Sequence, residues 1–148
     1  MADTSQVRTR IARRSNGAIE KGSVGNLLDR LKPQIARALP GSAAVTAERF
    51  TRIALTEFRR NPKLLDCTEQ SLLGGLLLSA QLGLEIGGPL GQSWLIPFRD
   101  IKTGTSEAIW ILGYKGIIAL AYRSGELASI EARDVCEGDD FSYRYGLD

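Results

Sequence analysis

The chain contains no histidine. That absence removes the Ser-His and Cys-His nucleophile pairs and the usual imidazole metal ligands. Cysteine is nearly as scarce, since Cys67 and Cys136 stand far apart with no CxxC pair, and a reducing cytoplasm is the setting that fits. Neither a GxxxxGK[ST] loop nor a GxSxG turn occurs, so no motif points to ATP hydrolysis or to a nucleophile elbow. No apolar run reaches membrane-spanning length. The most hydrophobic stretch, "SLLGGLLLSAQLGLE", is broken by Ser79, Gln81 and Glu85, and the first residues lack the apolar centre of a secretory signal. A soluble, cytoplasmic protein with no membrane partner is expected.

What is present has the composition of an ordinary globular domain, 43% hydrophobic and 24% charged over 148 residues, enough for one core. The net charge is only +2, but it is unevenly spread: residues 1–90 carry 13 Lys/Arg against 8 Asp/Glu, and residues 91–148 carry 6 against 9. Part of the basic excess is "RTRIARR" (Arg8, Arg10, Arg13, Arg14), within a leader over 1–23 rich in Arg, Ser and Thr. Its composition predicts a disordered basic segment able to touch phosphates only non-specifically.

Order is expected from about residue 24 onward. Leu27, Leu31, Ile35 and Leu39 recur at helical spacing, with Pro33 either kinking one helix or opening a second. In "TAERFTRIALTEFRRNP" Thr46 is placed as N-cap and Asn61-Pro62 ends the helix; Phe50, Ile53, Ala54 and Phe58 form the core face, and Arg49, Arg52, Arg59 and Arg60 lie largely opposite. "CTEQSLLGGLLLSAQLG" is apolar nearly all round, with Thr68 as N-cap and Gly83 as terminator, and reads as the central buried helix. The glycine-rich "LEIGGPLGQ" leads into a strand from Ser93 to Phe98, and "AIWIL" pairs with it as a hairpin whose tip holds Arg99 and Lys102. "LASIEARDVC" and "FSYRYG" alternate like two further strands around the turn "EGDD". The fold class is α+β: N-terminal helices, then a small antiparallel sheet with an inserted helix.

That inserted helix starts near Tyr114. Stepping 100° per residue gathers Ile117, Ile118, Leu120 and Ala121 on a face to be buried and leaves Lys115, Ala119, Tyr122 and Arg123 opposite. A lysine in the first turn opposes the helix dipole, yet suits a site where free backbone N–H groups hold an anion. Gly113 and Gly116 allow close approach of another backbone or of a phosphate chain. Basic and aromatic residues interleave from Trp94 onward, a mixture suited to single-stranded nucleic acid, although core filling is the expected duty of Trp94 and Trp110.

Several blocks, "TAERFTRIALTEFRRNPKLLDCTEQSLLGGLLLSAQLGLEIGGPLGQSWLIPF", "GYKGIIALAYRSGEL" and "EGDDFSYRYG", closely resemble the RecT family of phage and prophage single-strand annealing proteins, from about Leu27 to the last residue. The resemblance implies an ATP-independent, non-enzymatic recombinase that coats single-stranded DNA, oligomerises and anneals a complementary strand beside a partner exonuclease. It implies backbone-contacting roles for Lys115 and Arg123, with Tyr114 beside them, and for Arg99 and Lys102 on the hairpin. No cofactor is implied, with Mg²⁺ at most an aid to DNA binding. Family proteins continue well past "GLD", so residues 24–148 correspond to the N-terminal part of an annealing core, lacking the C-terminal region that would meet the exonuclease. Two other readings stay open: a metal-dependent nuclease using Glu137, Asp139 and Asp140, and an oligomerisation fragment without DNA binding.

Overall fold

The computed structural model describes residues 24–102 and 104–143. The leader over 1–23 and the last part of the expected final strand lie outside the described residues. Among the described residues, four helices and one two-stranded antiparallel sheet follow in the order α1 Val24–Ala38, α2 Ala47–Arg60, a 3₁₀ turn Pro62–Asp66, α3 Glu69–Gln81, β1 Ser93–Arg99, β2 Ser106–Leu112 and α4 Tyr114–Ser124. This is an α+β arrangement, with helices ahead of the sheet and one after it.

The helices begin and end where side-chain chemistry dictates. Thr46 and Thr68 each accept a backbone N–H from the first turn, of Arg49 at 3.3 Å and of Ser71 at 3.4 Å, satisfying donors that the helix itself leaves without partners. Asn61-Pro62 stops α2. Gly83, at φ +59, turns the chain away just after α3, a conformation in which a Cβ is strained. α1 runs unbroken through Pro33. The carbonyl that proline deprives of a donor belongs to exposed Asp29, where water can serve it.

Heptad-like rows then build one core. Leu27, Leu28, Leu31 and Ile35 of α1 meet Phe50, Ala54 and Phe58 of α2 and Leu72, Leu76 and Ala80 of α3, all buried. Each large side chain removed from water in this way stabilises the fold by roughly 1.5–3 kcal/mol. Leu64 and Cys67, both at 0% exposure, close the floor beneath the hairpin. Burial, reinforced by the charges of Asp66 and Glu107, pushes the Cys67 thiol above its ordinary range.

β1 and β2 pair from Ser93↔Leu112 to Arg99↔Ser106. Leu95 and Ala108 face inward, and half-buried Trp110 packs against the core from the same side. A Cβ on Gly75 of α3 would collide with the Leu95 side chain, so this glycine is what lets the hairpin settle on the helix. A buried polar network holds the intervening loop. Ser79 and Ser93 hydroxyls lie 2.7 Å apart and reach the Leu84 and Glu85 carbonyls at 3.0 and 2.9 Å, while the Gln92 amide oxygen accepts the Glu85 N–H at 2.9 Å. Arg49 of α2 grips the mostly buried Glu85 carboxylate at 2.6 Å. That hydrogen bond, then the charge of Glu85, raises the Arg49 pKa from its ordinary value.

Two expectations are corrected. The apolar row of α4 is not buried: Ile117 is 55% exposed, Ile118, Leu120 and Ala121 are half-buried, and only Gly116 is fully covered. α4 packs instead through its glycine-edged start, because a Cβ on Gly113 or Gly116 would strike the carbonyl oxygens of Gly91 or Gln92. Nor do residues 127–136 or 141–143 form strands; 126–143 is exposed throughout. Alternation supplies a face for burial, but a strand also needs an edge to pair with, and no ladder reaches this segment among the described residues. The acidic turn is real, with the Asp139 carboxylate accepting the Cys136 N–H at 2.8 Å and the Asp139 N–H reaching the Cys136 carbonyl at 3.1 Å.

Candidate nucleic-acid interface

Because β-strand side chains alternate, the residues opposite the core face of the hairpin form a face of their own. Trp94, Ile96 and Phe98 of β1 and Ile109 and Ile111 of β2 stand outward, 38–56% exposed. The register brings Trp94 beside Ile111 and Ile96 beside Ile109, giving a contiguous apolar and aromatic surface of the kind that marks an interaction site. The two tryptophans therefore divide: Trp110 fills the core side as expected, and Trp94 does not.

Cations border this face at both ends. Lys115 is exposed in the first turn of α4. Its aliphatic stem and the Trp94 ring both come within 4 Å of the position a Gly91 Cβ would take, at 3.8 and 3.4 Å, so both side chains flank Gly91. At the other end Arg99 closes β1 and Lys102 lies in the tip, both exposed and neither in an ion pair among the described residues. The tip is ordered by its own backbone: Asp100 accepts the Lys102 N–H through its side chain at 2.8 Å and the Gly104 N–H through its carbonyl at 2.8 Å. With six residue steps of about 3.4 Å along β1, the two cationic ends lie roughly 20 Å apart. Tyr114, 69% exposed, stands beside Lys115 at the start of α4.

Arg123 is placed differently from the sequence expectation. Its half-buried guanidinium donates to the Leu82 carbonyl at 2.6 Å and to the Gly83 carbonyl at 3.3 Å. These are carbonyls at the end of α3, where a cation is favoured by the helix dipole and satisfies acceptors the helix cannot. Lys115 and Arg123 thus face different neighbours, and the glycines of "GYKG" admit the Gly91-Gln92 backbone. Eight residues of helix turn through 800°, leaving the two cations about 80° apart, enough for a long side chain to find a nearby carbonyl instead of the outer face.

Two features escaped sequence reasoning. One is the outward apolar row, legible in principle because "SWLIPF" and "AIWIL" are apolar at both parities. The other is Ile101, 94% exposed between the tip cations, for which the sequence carries no signal. Among the described residues no three acidic or thiol side chains converge as metal ligands, and no helix is long and apolar enough to cross a membrane.

The outer face of the hairpin is thus an apolar, partly aromatic ribbon with exposed cations at its two ends. The chain belongs to the RecT family, which it matches over residues 48–148. It is 42% identical over 139 residues to Protein RecT of Escherichia coli strain K12, covering 91% of this chain and 51% of that protein. It is 28% identical over 123 residues to the uncharacterized protein YqaK of Bacillus subtilis strain 168, covering 83% of this chain and 39% of the other. The chain thus spans about half or less of the length of these curated relatives. No solved structure matches it.

Proposed function

We propose that this chain carries a single-stranded DNA-binding surface of an annealing protein for homologous recombination, acting without ATP and without a catalytic residue. The observation that carries this reading is the outward row of Trp94, Ile96 and Phe98 on the hairpin, with Lys115 flanking Gly91 near its Trp94 end and Arg99 and Lys102 at its far end. A strand crosses the ribbon with phosphates held at both ends and sugars or bases resting on Trp94 and Phe98. The roughly 20 Å between the ends matches about six nucleotides at a stacked rise of about 3.4 Å. Tyr114 lies beside the Lys115 contact, and the Tyr114 and Lys115 N–H groups at the start of α4 offer the same phosphate further donors.

Arg123 serves this surface as a positioning residue, holding α4 on the end of α3. Contacts to phosphate and ring faces are blind to sequence, and exposed base edges pair with a complementary strand, gaining roughly 1.4 kcal/mol per stacked step. Self-association is part of the same reading, since Ile96, Ile109 and Ile111 offer apolar area beyond what a DNA strand needs. So is an exonuclease that generates the single strand. The test is a fluorescence annealing assay with complementary oligonucleotides, run with light scattering. Faster pairing without cutting, and a mass that rises when oligonucleotide is added, are expected. Cleavage in Mg²⁺ or a mass indifferent to DNA refutes the reading.

A further inference from the structure

A second surface lies away from the hairpin's outer face. Between the first turn of α1 and the last turn of α2 is a cavity of about 450 Å³, walled by Val24, Leu55, Phe58, Pro62 and Leu65 and bordered by Arg59. Its size is within the range of pockets that accept a ligand group. Gly25 also lines it.

The charge around the cavity is selective. Arg49 and Arg60 of α2 are engaged by Glu85 and Glu57, at 2.6 and 3.7 Å. Arg52, Arg59 and Lys63 are exposed and form no ion pair among the described residues. Arg52 and Arg59 are seven residues apart, two helical turns, and so share one face, with Lys63 just beyond the helix end. An apolar hole beside unneutralised cations is complementary to a chain with the opposite composition.

We infer that this cavity is a docking site for an acidic peptide segment that inserts one large apolar side chain beside Phe58 and Leu65 while its carboxylates meet Arg59, Arg52 and Lys63. A DNA strand would use the cations and leave the apolar walls unfilled. The chain's own leader carries Arg8, Arg10, Arg13 and Arg14 and is mismatched to this rim in charge. The inference is independent of the annealing reading.

The test uses the full chain and a fluorescein-labelled, end-blocked probe of sequence Glu-Asp-Glu-Leu-Phe-Glu-Asp, followed by fluorescence anisotropy. Saturable binding is expected, weakened about tenfold by Arg59→Glu and lost when Leu-Phe in the probe becomes Ser-Ser. Arg37→Glu, about 18 Å of helix away from the cavity mouth, leaves it unchanged. Arg59→Glu should melt with the parent chain and keep its affinity for an oligothymidylate, so failure here is separable from failure of the DNA surface. Equal binding of the Ser-Ser probe reduces the site to charge alone and overturns the inference. Displacement by the oligothymidylate, or by a synthetic peptide of residues 1–23, assigns the cavity to another occupant and also overturns it.

Discussion

Replacing Arg123 by alanine separates a residue that shapes the surface from one that touches DNA. The guanidinium makes one short bond, 2.6 Å to the Leu82 carbonyl, and one long one, 3.3 Å to that of Gly83. A hydrogen bond from a charged donor contributes about 1.5–3 kcal/mol; half-exposure and the length of the second bond reduce the pair to about 2 kcal/mol in all. For a chain of this size that corresponds to a fall in Tm of roughly 6–8 °C. Lys115→Ala removes an exposed side chain with no ion pair and should shift stability by no more than about 0.5 kcal/mol. In an oligothymidylate titration against salt the order reverses. Lys115→Ala should flatten the slope of log K against log salt by about 0.7, one phosphate contact on a single strand, while Arg123→Ala keeps the slope at temperatures where it remains folded. The measurements are thermal melts by circular dichroism and binding by anisotropy at four or five salt concentrations. If Arg123→Ala melts with the parent chain yet loses the slope, the guanidinium belongs to DNA and the positioning role is wrong.

Other consequences follow from the packing. Gly116→Ala should destabilise, although alanine is the better helix former by about 1 kcal/mol, because its methyl would strike the Gln92 carbonyl; Gly74→Ala, with nothing within 4 Å, should stabilise by up to about that amount, and urea melts report both signs. Ellman's reagent should titrate one thiol in the native protein, exposed Cys136, and the second only on unfolding, since Cys67 is buried. The folded state holds the Cys67 thiol neutral past its ordinary value of 9.0, so the stability this contributes is intact below that pH and is lost as pH rises through the raised folded value, a decline that Cys67→Ala should lessen in melts at alkaline pH. Oligonucleotide binding should quench the emission of exposed Trp94, and Trp94→Phe should remove most of the change; quenching that survives intact places the strand elsewhere.

Much of the fold was legible because its signals are local. Thr46, Thr68, Asn61-Pro62 and Gly83 mark ends where backbone groups need a side-chain partner or an unusual φ, and such needs are met within a few residues of chain. The hairpin follows from two short apolar runs around a polar tip, while its register, with both runs apolar at both parities, does not. The apolar row of α4 was misread because periodicity says which side chains share a face and not whether another element exists to cover it. The strand-like segments after α4 failed likewise, because alternation does not bring a segment to the edge of a sheet.

The candidate site divides along the same line. Sequence alone determined that Arg99, Lys102 and Lys115 would be cations on a hairpin tip and a helix start, since those positions have no core to join. Only the tertiary structure decided that Lys115 and Trp94 both flank Gly91, that Arg123 is spent on the end of α3, and that Gly113 and Gly116 receive the Gly91-Gln92 backbone. Those outcomes depend on distances between segments 20 to 40 residues apart along the chain. No local preference encodes such distances; they appear when the core of α1, α2 and α3 fixes where the hairpin and α4 come to rest.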